Sequence, residues 1–325
     1  MTKTDMTFVT GVVRSKEKDL IRSDTLRRMI DEGSAEGFLR FLTERGFGGG
    51  EEISSIFDYE RLLTKEEEAL IALLSSSSPD ERYLTCALSE NDYFNAECAV
   101  RKARGYLKTG GYLPSGTVSV EALEAAAAGD KNAADARFFL PMAKALSMLD
   151  ENKASGRKLA TLFLSARNEF RQMTAKDRDQ ILLFSAEADV KNLSVAFRSE
   201  NAAKAEEEYL PGGTIRKEGL NLIADKEDEK AENFFRFTEI YPLVKIGLTE
   251  RQAGFPFTAF ERDGEGFGLK TLKKRRFEND GAFPLTLYTT YKKSEIKNVR
   301  IALSGLLNGA SPEKIKERLR EGYDG

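Results

Sequence analysis

Apolar residues recur along most of the chain at intervals of three and four, the spacing of one helix face. Leu20, Ile21, Leu26, Met29 and Ile30 make one such stripe. Ala69, Leu70, Ile71, Leu73 and Leu74 make another, and Thr64-Lys-Glu-Glu67 predicts a capping box that opens it. Ser78-Pro79-Asp80-Glu81 predicts a second helix start, with Pro79 at the first helical position where its missing N–H costs nothing. Ser311-Pro312-Glu313 predicts a last helix through Ile315 and Leu319, and Leu159–Phe170 and Ile181–Phe184 continue the pattern. Strand-like alternation is scarce. Its best candidate, Leu285–Tyr291, has flanks that read as a helix entry. The chain reads as all-α.

An internal repeat organises these helices. Asp92, Asn95, Ala99 and Arg101 return as Asp189, Asn192, Ala196 and Arg198, each 97 residues on. Tyr112-Leu-Pro-Ser-Gly-Thr117 returns as Tyr209-Leu-Pro-Gly-Gly-Thr214 at the same offset, followed by Glu121 and Leu123, then Glu218 and Leu220. A looser third copy begins with Glu295, Asn298 and Ala302, with Ser304 where the arginine stood. A period near 100 residues exceeds that of solenoid repeats and predicts three similar helical domains, 1–109, 110–206 and 207–325.

On a helix the acid, Asn and Ala of each copy fall on one face. The alanine lets a second helix approach, and the asparagine can satisfy a buried backbone end. Pro-x-Gly-Thr then breaks the chain and starts the next helix, with Glu121 or Glu218 near its positive end. Two uses fit this strip: architecture of a repeated unit, or contact with a partner.

Composition narrows the chemistry. The 325 residues are 32% charged, with 50 basic and 53 acidic side chains, so no basic excess points to nucleic acid. There is no histidine, which removes Ser-His-Asp and Cys-His catalysis and His-ligated metals. Cys86 and Cys98 are too few for a thiolate cage or a disulfide framework and suit a reducing cytoplasm. No stretch approaches the roughly 18 apolar residues of a spanning helix, and the start Met1–Thr7 lacks a signal-peptide core.

The motifs that look chemical fall short. Gly111–Thr117 has P-loop glycine spacing without the lysine that reaches the phosphates. Gly264-Glu-Gly-Phe-Gly268 is off the dinucleotide spacing and carries acids that would repel phosphate, so it reads as a mobile loop, as does Gly48–Gly50. The carboxylate pairs Glu206–Glu208 and Asp225–Glu229 sit in polar runs and read as solvated faces. Lys270, Lys273, Lys274, Arg275 and Arg276 form the densest basic patch, either a salt-bridged surface or a docking patch for an acidic partner. Phe234, Phe235 and Phe237, then Phe255, Phe257 and Phe260, then Phe283, Tyr288 and Tyr291 read as core of the third domain. No catalytic, cofactor or metal site emerges.

The run from Lys292 to Leu319, KKSEIKNVRIALSGLLNGASPEKIKERL, resembles the carboxyl-terminal hallmark of the V-type and A-type ATPase central-stalk subunit, called C in prokaryotes and d in eukaryotes. Arg14-x-x-Glu17-x-x-Leu20 resembles its opening, and Glu90-Asn-Asp-Tyr-Phe-Asn95 and Leu210-Pro-Gly-Gly213 fit it too. Ser304-Gly-Leu306 departs from it, since relatives often carry a basic residue after the glycine. The resemblance implies a funnel of three similar helical domains around a pseudo-threefold axis. It implies a non-catalytic rotor part, cytoplasmic and peripheral to the membrane. Such a part seats the central shaft subunits D and F on the membrane proteolipid ring and transmits torque for H⁺ or Na⁺ transport. Two other readings keep the same residues: a freestanding helical adaptor, and a helical enzyme built on paired carboxylates.

Overall fold

The computed structural model describes residues 5–325 except 52, 54, 108–110, 131 and 152–154. The boundary at 109/110 and the start Met1–Thr4 therefore lie outside the described residues. Among the described residues the fold is all-α, with no strand and a single parallel bridge between Arg22 and Tyr323. The helices run α1 Met6–Lys16, α2 Ser23–Asp31, α3 Ala35–Glu44, α4 Glu60–Ser77, α5 Glu81–Ala103, α6 Val120–Ala127, α7 Phe139–Asp150, α8 Gly156–Thr174 and α9 Arg178–Arg198. They continue as α10 Ala202–Glu206, α11 Lys217–Ala224, α12 Asp228–Phe235, α13 Tyr241–Gln252, α14 Thr258–Glu265, α15 Phe267–Lys273, α16 Phe283–Leu307 and α17 Pro312–Arg318.

Local chemistry sets several of the helix starts. Ser311 accepts from the Lys314 amide and Pro312 fills the first position of α17, a start legible in the sequence. Two other starts lie elsewhere. Pro79 holds Ser78 extended, so Ser78 ends α4 and Asp80 caps α5 by accepting from the Tyr83 amide. Thr64 lies inside α4, which begins a turn earlier because Leu62 and Leu63 are fully buried. The stretch Leu285–Tyr291 is helical, within α16.

The segment read as a glycine loop at 264–268 is instead the junction of α14 and α15. Two of its glycines serve close packing on α9, since an added Cβ would press on Val190 from Gly264 and on Leu183 from Gly268, and the third, Gly266, lies against Glu321. Gly48–Gly50 turns with positive φ throughout, and the Gly48 amide donates to the buried Glu66. The aromatic clusters divide. Phe235, Phe260, Phe283, Tyr288 and Tyr291 are buried, whereas Phe237 is 95% exposed and Phe255 is also exposed.

Among the described residues, burial gathers into four clusters. One packs Tyr93, Val100, Leu123, Phe138 and Phe163 together, and another packs Leu193, Phe197, Leu220, Phe235 and Phe260. A third joins the two ends of the chain, Ile21, Leu26, Phe38 and Leu63 against Val299, Leu303 and Ile315. The fourth, from Val13 and Leu74 to Leu285 and Tyr288, lies between α1, α4, α5, α15 and α16.

Candidate functional site

The repeated residues build one device twice. On α5, Asp92 accepts from the Thr117 amide at 2.9 Å, the Thr117 hydroxyl at 2.6 Å and the Val118 amide at 3.2 Å. On α9, Asp189 accepts from the Thr214 amide at 2.7 Å, its hydroxyl at 2.6 Å and the Ile215 amide at 2.9 Å. One turn on, Asn95 exchanges two hydrogen bonds with the Leu113 backbone, and Asn192 exchanges two with Leu210. The acid and the amide thus clamp the incoming loop and aim it into α6 or α11. Gly116 and Gly213 are required because a Cβ on either would run into the clamping aspartate. Ala99 and Ala196 are buried beside these contacts.

On α16 the device is shared between the two ends of the chain. Asn298 donates to the Arg320 carbonyl at 3.1 Å and accepts from its amide at 2.7 Å. Glu295 accepts from the Ile21 amide, just before α2. Sequence reasoning missed this partner, although a signal was there. Ile21, Val118 and Ile215 are spaced by 97, as are Leu26, Leu123 and Leu220. Glu295 also shares the ammonium of Lys292 with Glu66, at 2.5 and 2.6 Å, and Lys292 lies over the Phe47 ring. Burial raises the Glu295 acid, opposed mainly by the Lys292 charge. The two carboxylates together raise Lys292 to about 12 against its burial.

The three long helices meet at their first turns. Tyr83, Gln180 and Thr286 each stand nine residues before Asp92, Asp189 and Glu295. The Tyr83 hydroxyl bonds Thr286 Oγ1 at 2.8 Å, and Gln180 Nε2 donates to the Tyr83 carbonyl at 2.9 Å. Two turns further on, charged side chains face one another: Lys293 pairs with Glu90 at 2.9 Å and Arg171 with Glu187 at 2.8 Å, beside Arg167. Lys293 and the two arginines hold Glu90 well below the usual carboxylate range.

Arg101 pairs with Glu97 and donates to the Gly156 carbonyl, while Arg198 pairs with Glu261. Both tie a long helix to the segment packed beside it. The basic patch is largely neutralised from within. Lys273 pairs with Glu321 and Asp324, Lys274 with Glu239, and Arg275 with Asp179 and Glu278. Lys270, 3.9 Å from Glu321, and Arg276, over Phe277, stay exposed. Cys86 and Cys98 are free and buried, and burial raises both thiols to about 11.

The opening and terminal family-like motifs make structural contacts here. Arg14 pairs with Glu17 at 2.7 Å and donates to the carbonyls of Arg276 and Glu278, while Leu20 is buried. In the terminal motif, Gly305 lies against Ile315 as α17 folds back on α16. The family pattern described as ATP synthase (C/AC39) subunit matches residues 9–318, nearly the whole chain. The chain belongs to the ATP synthase C/AC39 subunit family. Comparison with individually curated proteins gives no match. The C/AC39 family is one of structural subunits of the V/A-type ATPase complex. Among the described residues of this member, no helix is long and apolar enough to cross a membrane.

Proposed function

We propose that this C/AC39 subunit is the non-catalytic socket of a V/A-type rotary ATPase, seating the central shaft subunits D and F on the membrane proteolipid ring. In that role it transmits torque for ATP-coupled H⁺ or Na⁺ transport from the cytoplasmic face, held to the membrane through the complex. The family match over residues 9–318 carries the reading. Rigidity supports it. A torque-bearing part must keep its helices in register, and the links Tyr83–Thr286, Gln180–Tyr83 and Glu295–Ile21 fasten the three long helices and both chain ends to one another. We propose further that the repeat forms three helical units arranged as a funnel about a pseudo-threefold axis, with the N-terminal segment completing the third. Lys270 and Arg276 are the members of the basic patch best placed to dock an acidic neighbour.

The test is ATP hydrolysis measured beside ion uptake in membranes rebuilt with and without this chain. Without it, the soluble head should go on hydrolysing ATP while ATP-driven uptake is lost. Undiminished uptake in its absence would overturn the coupler role, and loss of hydrolysis by the isolated head would point to a catalytic one.

A further inference from the structure

The first Asp–Thr clamp holds a cation that the second lacks. Arg137 donates to Asp92 Oδ2 at 2.9 Å and to Thr117 Oγ1 at 2.8 Å, and its guanidinium lies 4.7 Å from the ring centres of both Phe138 and Phe170. This is a guanidinium cradle: carboxylate and hydroxyl meet Nη2 and aromatic rings lie beside, while Nε and Nη1 are buried without hydrogen-bond partners. All four components recur 97 residues on, as Asp189, Thr214, Phe235 and Phe267. The aspartates and threonines bond in the same way in both places, and Phe138 and Phe235 are both buried. What does not recur is the arginine. Phe234 takes its place in the sequence and turns its ring edge-on to Phe235, against Gly219.

The space left is an open groove of about 760 Å³ between α9, α12 and α15, lined by all four cradle residues. Asp189 is 4% exposed, yet no basic group pairs with it among the described residues. Burial raises its acid, opposed only by hydrogen bonds from Thr214 and Ile215, whereas at Asp92 the Arg137 charge opposes burial as well. A buried carboxylate above an aromatic-walled opening is the complement of a guanidinium. Arginine, whose planar guanidinium stacks on rings as that of Arg137 does, suits it better than lysine. The groove is also larger than one such head group, and Ile181, Leu182, Phe234 and Ile240 give it apolar walls. Arg178 and Arg216 line it too but are exposed, and Glu239 is engaged by Lys274.

We infer that the Asp189–Thr214–Phe235–Phe267 groove receives an arginine side chain, flanked by apolar residues, from a partner polypeptide. The chain's own Arg137 is the template for the seated group. The inference stands apart from the rotary role proposed above and holds or fails without it.

The test is methyl NMR on the full chain labelled at isoleucine, titrated with three probes: N-acetyl-arginine amide, N-acetyl-lysine amide and the blocked tripeptide Leu-Arg-Leu. Saturable shifts are expected at the methyls of Ile181, Ile215 and Ile240. The tripeptide should bind at least tenfold more tightly than the single arginine, and lysine at least tenfold more weakly. Phe234→Arg, which supplies an arginine where Arg137 stands in the first clamp, should occupy the Asp189 carboxylate and abolish the shifts. Phe267→Leu, which keeps the apolar wall but removes the stacking ring, should weaken them several-fold with the remaining methyl spectrum unchanged. Absence of saturable arginine binding, equal binding of lysine, or full binding by both variants would overturn the inference. Arginine amide binding with no gain for the tripeptide would assign the groove to a free guanidine compound and overturn the polypeptide partner.

Discussion

Replacing Asn192 with leucine isolates what the amide clamp contributes. Asn192 is 5% exposed, and its amide meets both backbone groups of Leu210, donating at 2.9 Å and accepting at 2.7 Å. Leucine is close in volume but meets neither, so a buried N–H and a buried C=O lose their partners together. Each unsatisfied group costs about 1–3 kcal/mol. The loop at 209–215 is also held by Asp189 through three hydrogen bonds, so it cannot swing out freely to recruit water. The expected loss is therefore about 2–4 kcal/mol, between one group's cost and the full sum for two. Urea unfolding followed by helical circular dichroism should show a lower midpoint. Amide hydrogen exchange at Leu210 should rise about tenfold for each 1.4 kcal/mol by which local opening becomes easier, whether or not so long a chain unfolds in one step. Asn95→Leu should act alike at Leu113, since the same two bonds are made there. An unchanged midpoint together with unchanged protection at Leu210 would refute the reasoning.

Gly213→Ala should destabilise by about 1–3 kcal/mol, since the new Cβ meets a carboxylate that three hydrogen bonds hold in place, and Gly116→Ala should do the same at Asp92; thermal melts that match the parent would contradict this. Glu295 supplies a pH dependence of opposite sign to that of a salt-bridged surface acid. Its folded pKa is raised by burial, so the folded state bears the cost of the charged form above that value and is relieved as pH falls through it toward the ordinary 4.5. The stability of the parent relative to Glu295→Gln should therefore rise as pH is lowered from 7 to 4.5, by at most about 1.4 kcal/mol per pH unit. Lys292 stays protonated throughout, being raised to about 12, so it adds no slope. A flat difference between the two urea-unfolding series would show that Glu295 is not titrating differently in the fold.

Local interactions wrote much of this molecule into the sequence. Helical periodicity, Ser311 ahead of Pro312, and the 97-residue recurrence of acid, asparagine and Pro-x-Gly-Thr all depend on neighbours within a turn or on residue identity, so they can be read from the string. Long-range packing decided the rest. Thr64 loses its capping role because the burial of Leu62 and Leu63 extends α4 past it, and Gly264 and Gly268 become packing glycines because α9 lies against them. The aromatic residues at 237 and 255 face outward despite their apolar character, since burial depends on which side of a turn reaches a neighbour. Most of all, the sequence could name Glu295 and Asn298 without saying what they hold. Their partners are Ile21, 274 positions away, and Arg320, and only the folding of the amino-terminal end back onto α16 brings the first of these within hydrogen-bonding distance. The groove at Asp189 belongs to the same class. Its four components are spread from 189 to 267, and no local rule joins an aspartate, a threonine and two phenylalanines until α9, α12 and α15 pack around them.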